Sequence, residues 1–185
     1  MTKVFIIHGW EGYPDESWLP WMRKHLTNLG CKVEIPQMPN RIIPSLTDWM
    51  RVIGKLVNQT PENIILLAHS LGTTAVLNYL SQSRGKAKLK AIILVSPFVR
   101  NIGMDAVSDF IKRDLHWSKI SSRAKQFVVI HSRDDLVVPF LEGKYIAHKL
   151  KAKFLPVNHF HHFCDVDNIK TAPPILNALK TILKI

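Results

Sequence analysis

The hydrophobic residues of this chain fall into short uninterrupted runs, separated by segments with helical periodicity. Consecutive aliphatic residues are typical of strands that are buried on both faces, as in a parallel sheet. We interpret six segments as strands, at residues 3–8, 32–35, 63–67, 91–95, 127–131 and 153–157. Helical segments alternate with these strands, and parallel strands are joined by right-handed crossovers. The pattern therefore predicts an α/β fold, a doubly wound parallel sheet of about six strands with helices on both faces.

Apolar residues spaced by three and four predict the helices between these strands. The first helix is expected to be capped by Ser17 and ended by Gly30. The second is expected to be capped by Ser45 and to reach about Gln59. Further helices are predicted up to about residue 83, at 104–113, at about 141–150 and at 172–183. The longest connection, residues 98–125, could hold a short cap over a pocket.

Composition and charge narrow the class of protein. The length of 185 residues suits a single domain, residues 1–185, and no apolar run is long enough to span a bilayer. Lys and Arg number 25 against 14 Asp and Glu, a formal charge of +11. These basic residues are scattered and carry no RNA-binding, zinc-finger or basic-zipper motif, so we expect no nucleic-acid partner. Two cysteines cannot form a disulfide framework, and we expect a cytoplasmic protein.

A candidate nucleophile lies in the stretch 63–74, Asn-Ile-Ile-Leu-Leu-Ala-His-Ser-Leu-Gly-Thr-Thr. A strand, a sharp turn and a helix in this order are the context of a nucleophile elbow, with Ser70 at its apex. The turn brings backbones close together and needs small residues two positions on either side of the serine. Gly72 meets this need, and Ala68 stands where a glycine is usual. The amide of Leu71 is the expected first donor to an oxyanion.

The first strand ends in a second group of candidate residues, His8-Gly9-Trp10. Gly9 allows the backbone to turn close to a substrate, and the amide of Trp10 is our candidate for the second oxyanion donor. His8 could orient this loop.

Acidic and histidine residues follow two later strands at the same edge of the predicted sheet. Asp134 and Asp135 come after the fifth strand, ahead of an apolar turn and a proline. The sixth strand is followed by His159, His161 and His162. A serine hydroxyl needs a base to take its proton and an acid to orient that base. The order nucleophile, acid, histidine is the order found in α/β hydrolases.

Taken together, these motifs resemble the small serine hydrolases related to YdeN and to retinoblastoma-binding protein nine. The resemblance extends over nearly the whole chain and rests mainly on residues 8–10, 68–72, 134–139 and 161–163. It implies a compact α/β-hydrolase fold, a Ser-His-Asp triad and no cofactor. It also implies hydrolysis of ester or amide bonds in a small-molecule substrate, and it leaves the oligomeric state open.

The resemblance assigns the roles of nucleophile, acid and base to Ser70, Asp135 and His162. The family pattern of Asp, two residues, a small aliphatic residue and Pro is met at residues 135–139, and Asp134 is the alternative acid. The glycines that usually precede the catalytic histidine are replaced here by Phe160 and His161. His161 therefore stays open as an alternative base.

Two other classes of function compete with this interpretation. A metal-dependent hydrolase could use a cluster of zinc-like ligands, namely His159, His161, His162 and Asp165. A non-catalytic binding module could keep the fold without the activity.

The pocket itself can also be anticipated in outline. Without a substantial lid we expect it to be shallow and to favour short acyl esters or small amides. The aromatic residues expected near it are Trp10, Trp18, Phe98, Trp117 and Phe163.

Overall fold

The computed structural model describes residues 1–57, 61–85 and 88–185. These residues form six strands: β1 Lys3–Ile7, β2 Lys32–Glu34, β3 Ile64–His69, β4 Ala91–Val95, β5 Phe127–Ser132 and β6 Lys153–Val157. All neighbouring strands are parallel, in the order β2-β1-β3-β4-β5-β6. The direction in which strands are added reverses between β1 and β3. Ligands of such sheets bind beyond the carboxyl ends of the strands near this reversal.

Helices cover both faces of the sheet. They are α1 Leu19–Asn28, α2 Leu46–Val57, α3 Leu71–Gln82, α4 Ser108–Ile111, α5 Trp117–Ser121, α6 Phe140–Leu150 and α7 Pro173–Leu183. Helices α1 and α7 pack on one face with Val4 and Ile6, whereas α2, α3 and α6 pack on the other with Phe5 and Ile7. The predicted fold class is therefore confirmed. None of the helices in the described residues is long and apolar enough to cross a membrane.

The burial of each strand explains why the aliphatic runs were informative. Every residue of β3 and β4 is buried, because these central strands have helices above and below them. The edge strand β2 is largely exposed, and the other edge strand, β6, contains Pro156. A proline is tolerated there because an edge strand has a side without a neighbour.

Two of the predicted helix ends are confirmed, and one predicted cap is wrong. Helix α1 ends at Asn28, and Gly30 follows with a φ of 79°. The Ser45 hydroxyl accepts a hydrogen bond from the amide of Asp48 at 3.4 Å, at the start of α2. Ser17, however, does not cap α1, because its hydroxyl donates to the carbonyl of Ile169 at 2.7 Å. The predicted end of the second helix, at Gln59, lies outside the described residues.

The connection from β4 to β5 differs from the single helix predicted at 104–113. It contains a 3₁₀ turn, Asp105–Val107, followed by the one-turn helix α4 and then by α5. The Asn78 side chain donates a hydrogen bond to the carbonyl of Phe110 at 2.9 Å. The amide of His116 donates to the Ser81 hydroxyl, also at 2.9 Å. These bonds to α3 satisfy backbone groups that a longer helix would have used itself.

Candidate active site

Ser70 occupies a strained turn between β3 and α3, with a φ of 51° and a ψ of −124°. The turn lies tightly against the end of β1. A Cβ atom on Gly72 would come within 2.6 Å of the carbonyl oxygens of both Ile7 and His8, so only glycine fits there. Ala68, which stands where a glycine is usual, is fully buried. The local geometry is that of a nucleophile elbow.

The Ser70 hydroxyl is hydrogen-bonded to His162. The Ser70 Oγ atom lies 2.9 Å from His162 Nε2. On the other side of the ring, His162 Nδ1 lies 2.9 Å from Oδ2 and 3.1 Å from Oδ1 of Asp135. The Nδ1–H group donates to the carboxylate, which leaves Nε2 free to accept the hydroxyl proton. Three buried side chains from the ends of β3, β5 and β6 thus form one hydrogen-bonded series.

Asp135 is held in place by donors on all sides. Its Oδ1 atom accepts hydrogen bonds from the amides of Val137 and Val138, both at 2.9 Å. The Nε2 atom of His131 lies 3.3 Å from its Oδ2 atom. Burial raises the pKa of the Asp135 carboxyl, but the hydrogen bonds from His131 and His162 outweigh burial and bring the pKa well below its ordinary value. The group that faces His162 is therefore a carboxylate anion.

His131 is a residue of this site that the sequence interpretation missed. The aliphatic run predicts His131 only as the last residue of a strand, and β5 ends one residue later, at Ser132. The sequence does hold a signal for its role: His131 is a polar residue in an aliphatic run and lies four residues before Asp135. Its side chain is buried, and within the described residues its Nδ1 atom has no hydrogen-bond partner.

The alternative acid, Asp134, and the alternative base, His161, contact each other. Asp134 accepts hydrogen bonds from the amides of His159 at 3.0 Å and His161 at 3.3 Å. The ring of His161 is half-exposed, with its Nδ1 atom 3.4 Å from Asp134 Oδ2. Neither side chain is hydrogen-bonded to the Ser70 and His162 pair.

The four side chains considered as metal ligands do not form one ligand group. His159 is 94% exposed. Asp165 forms an ion pair with Lys170 and accepts a hydrogen bond from the amide of Ser17 at 3.0 Å. His162 is hydrogen-bonded to Ser70. Across residues 1–57, 61–85 and 88–185 there is no group of three His, Cys, Asp or Glu side chains suited to a metal ion. The geometry gives the metal-dependent alternative no support.

The two expected oxyanion donors border the same cavity as Ser70. In the part of the chain that the structure describes, the amides of Trp10 and Leu71 donate no backbone hydrogen bond. Leu71 is the first residue of α3, so its amide lies at the positive end of that helix. A Cβ atom on Gly9 would lie 3.1 Å from the Cβ atom of Ser70, and the missing side chain lets this loop approach closely.

His8 holds the loop that carries Trp10. Its Nδ1–H group donates to the carbonyl of Gly9 at 2.9 Å, and its Nε2 atom accepts the amide of Met38 at 3.0 Å. Burial lowers the pKa of His8, so the ring stays neutral and can do both. The loop is also held by the Trp10 indole, whose N–H group donates a hydrogen bond to the carbonyl of Ile42 at 2.9 Å.

A cavity of about 290 Å³ opens over Ser70 and is lined by both apolar and acidic residues. The β4–β5 connection gives it an apolar wall with Phe98, Ile102, Met104 and Val107. The acidic residues Glu11, Glu16 and Asp165 also line it. Burial raises the pKa of Glu16 to about 7, and the nearby charge of Asp165 acts in the same direction.

Only two of the aromatic residues expected near the pocket line it. Trp10 and Phe98 border the cavity. Trp18 and Phe163 are buried in the core on the opposite face of the sheet, and Trp117 packs edge-on against Tyr145. Aromatic side chains near a site in sequence are as useful for filling the core as for contacting a substrate.

Comparisons with known proteins agree with this architecture. A family model described as serine hydrolase matches residues 4–180. YdeN of Bacillus subtilis (strain 168) is 34% identical over 181 residues, which cover 97% of this chain and 95% of YdeN. The crystal structure of the B. subtilis ydeN gene product superposes with a TM-score of 0.95 over the full length of both chains, at 32% identity.

More distant proteins are similar to this chain in sequence or in fold. Serine hydrolase RBBP9 of Rattus norvegicus is 26% identical over 167 residues, covering 88% of this chain and 87% of RBBP9. Est1E from Butyrivibrio proteoclasticus, solved with ferulic acid bound, superposes with a TM-score of 0.74 at 17% identity. That alignment covers 96% of this chain and 89% of Est1E.

Proposed function

The chain belongs to the serine hydrolase family, and from this premise we propose that it hydrolyses carboxylic ester or small amide bonds, with Ser70 as nucleophile, His162 as base and Asp135 as acid. The observation that carries the proposal is the hydrogen-bonded series of these three side chains. Its two links have ordinary hydrogen-bond lengths, 2.9 Å from Ser70 Oγ to His162 Nε2 and 2.9 Å from His162 Nδ1 to Asp135 Oδ2.

The proposed reaction has two steps. His162 takes the proton of Ser70 as the hydroxyl oxygen attacks the substrate carbonyl carbon, and Asp135 stabilises the imidazolium that forms. The imidazolium then protonates the leaving alcohol or amine, and an acyl-enzyme remains on Ser70. In the second step water attacks this ester and gives its proton to His162, which passes that proton to the Ser70 oxygen as the acid product leaves.

The charge that develops on the carbonyl oxygen needs fixed donors. The amides of Trp10 and Leu71 are our candidates, because both residues border the cavity beside Ser70 and neither amide donates a backbone hydrogen bond within the described residues. Loss of one such donor typically lowers kcat by a factor of about 10² to 10³. His8 fixes the Trp10 loop through the Gly9 carbonyl, so we assign it a positioning role.

The cavity supports a small substrate with an apolar part. Its volume of about 290 Å³ and its apolar wall suit a short acyl group. A series of p-nitrophenyl esters tests this, with kcat/KM expected to peak at short acyl chains. A steady rise of kcat/KM with chain length would contradict it.

Both cysteines are free thiols, and a reducing cytoplasm remains our proposed location.

A fluorophosphonate probe tests the assignment of the nucleophile. We expect the probe to label the wild-type protein and mass spectrometry to find the label on Ser70, with no labelling of Ser70→Ala. Ser96→Ala is the matched control, because Ser96 is another buried serine at the end of a strand, with a φ of 47°. A label on another serine would overturn the assignment, and no label would favour the non-catalytic binding module.

A further inference from the structure

The loop that carries His162, residues 158–164, has an unusual backbone, and we call it the histidine loop. Alternate residues adopt positive φ values: 64° at His159, 45° at His161 and 58° at Phe163. None of these residues is glycine, and bulky side chains disfavour this conformation. Something in the surrounding structure must therefore hold the loop in its observed shape.

The first holder is Asp134. Its Oδ2 atom accepts the amide of His159 at 3.0 Å, and its Oδ1 atom accepts the amide of His161 at 3.3 Å. Ser132 donates its hydroxyl to Asp134 and accepts the amide of Phe160 at 3.2 Å. Three successive amides of the histidine loop are thus bound by two side chains at the end of β5, Ser132 in the strand and Asp134 just after it.

The second holder, Asp167, lies beyond the histidine loop. Its Oδ2 atom accepts the amide of His162 at 2.9 Å and the amide of Cys164 at 3.4 Å. It also accepts the Cys164 thiol at 2.9 Å. Burial, aided by this hydrogen bond, raises the pKa of Cys164 to about 12, so the thiol stays protonated and keeps donating.

We infer that Asp134 and Asp167 are positioning residues for His162, fixing the backbone on either side of the proposed base so that its Nε2 atom meets Ser70. The inference rests on the proposed function of His162. Each carboxylate accepts two amides of the loop. An anion is suited to this role, because hydrogen bonds to a carboxylate are stronger than those to a neutral acceptor.

Asparagine in place of Asp134 should loosen this arrangement. An asparagine side chain has one acceptor oxygen and places an NH₂ group where the second oxygen was, facing an amide that also donates. We expect kcat of Asp134→Asn on a p-nitrophenyl ester to fall on the order of ten- to a hundredfold, the cost of a small misplacement of a reacting group. KM should change little, because Asp134 is not among the residues lining the cavity. The control is Asp109→Asn, an exposed aspartate on α4.

A glycine substitution separates positioning from a general loss of stability. Glycine adopts positive φ values readily, so His161→Gly should reduce the need for the carboxylate. The fold-loss in kcat caused by Asp134→Asn should therefore be smaller in the His161→Gly background than in the wild type. An equal loss in both backgrounds, or an unchanged kcat in Asp134→Asn, would overturn the inference for Asp134. Asp167→Asn is tested in the same way, with kcat and KM measured separately, and an unchanged kcat there would overturn the inference for Asp167.

Amide hydrogen exchange tests the loop without relying on catalysis. In a Ser70→Ala background, Asp134→Asn should speed exchange of the amides at 159 and 161, while Asp109→Asn should not. Unchanged exchange of these two amides would show that the Asp134 carboxylate does not hold the loop. This result does not depend on the kcat values, which a loss of stability could also lower. If the wild-type protein is not labelled at Ser70, the proposed function fails, and the exchange result still judges the role of Asp134 in the loop.

Discussion

The Nε2–H group of His69 donates a hydrogen bond to the backbone carbonyl of His162 at 2.7 Å. The residue directly before the proposed nucleophile thus holds the backbone of the proposed base. The two rings also lie close together, with centroids 5.1 Å apart. Because of this tie, the elbow and the histidine loop form one unit, although 92 residues separate Ser70 from His162 in the sequence.

The burial of the His69 ring predicts a loss of stability in acid. Burial, followed by the charge of His162, lowers the pKa of His69 from 6.5 to about 3. Between pH 6.5 and about 3, His69 is therefore protonated in the unfolded chain but neutral in the folded protein. Its contribution to stability is full above pH 6.5 and is lost as the pH falls. At pH 4.5 this loss should be on the order of 2 to 3 kcal/mol.

His69→Gln should remove this part of the pH dependence, since a glutamine amide can donate a hydrogen bond without titrating. Urea unfolding at pH 7 and pH 4.5 measures the difference. The control is His148→Gln, an exposed histidine on α6, which should keep the wild-type dependence. A wild-type pH dependence in His69→Gln would contradict the prediction.

Asp135→Asn should abolish most activity and leave the fold intact. An asparagine NH₂ group in contact with His162 Nδ1 would favour the tautomer with its proton on Nε2, which cannot accept the proton of Ser70. The equivalent change in a Ser-His-Asp protease costs about 10⁴ in kcat, and we expect a loss of that order on a p-nitrophenyl ester. Asp114→Asn, at an exposed position, serves as the control. A loss below about tenfold would argue against Asp135 as the acid.

Gly72→Ala should disrupt the elbow through sterics alone. The added methyl group would lie 2.6 Å from the carbonyl oxygens of Ile7 and His8, so either β1 or the start of α3 must move. Overpacking of this kind costs about 1 to 3 kcal/mol, and the displaced Ser70 should lower kcat as well. Gly85→Ala is the comparison, because its added Cβ meets only the Arg123 guanidinium at 3.5 Å. Equal unfolding midpoints in the two variants would refute the steric argument.

The sequence predicted those features that obey local rules. An uninterrupted aliphatic run has few uses outside a sheet covered on both faces, so β3 and β4 were found within two residues of their ends. Gly30 and Ser45 marked helix ends because the residue type itself supplies the required conformation or acceptor. The sequence order of Ser70, the aspartates and the histidines could be read for the same reason, since each follows a strand at the same edge.

Features decided by contacts between distant segments could not be read in this way. Apart from the family pattern at residues 135–139, nothing local distinguishes Asp134 from Asp135. The structure separates them because the amides of Val137 and Val138 bind Asp135, whereas Asp134 binds amides of the histidine loop. The helix predicted at 104–113 failed for a similar reason, since the Asn78 side chain takes the carbonyl of Phe110. The Ser17 hydroxyl donates its hydrogen bond to the carbonyl of Ile169, more than 140 residues later in the sequence, and so does not cap the helix that begins beside it.

Glu16 gives a pH dependence of opposite sign to that of His69. Burial raises the pKa of Glu16 from 4.5 to about 7, and Asp165 adds to the shift. The folded protein therefore holds the proton more tightly than the unfolded chain does. The contribution of protonated Glu16 to stability is full below pH 4.5 and is lost as pH rises through 7.

Glu16→Gln, which keeps a neutral side chain at every pH, should match the wild type at pH 4 and be more stable at pH 8. The gain should be on the order of 1 kcal/mol, because solvent screens this partly exposed group. Urea unfolding at both pH values measures it, with the exposed Glu62→Gln as control. Equal stability of Glu16→Gln and wild type at pH 8 would mean that the carboxyl group is well hydrated in the cavity and ionises there without cost.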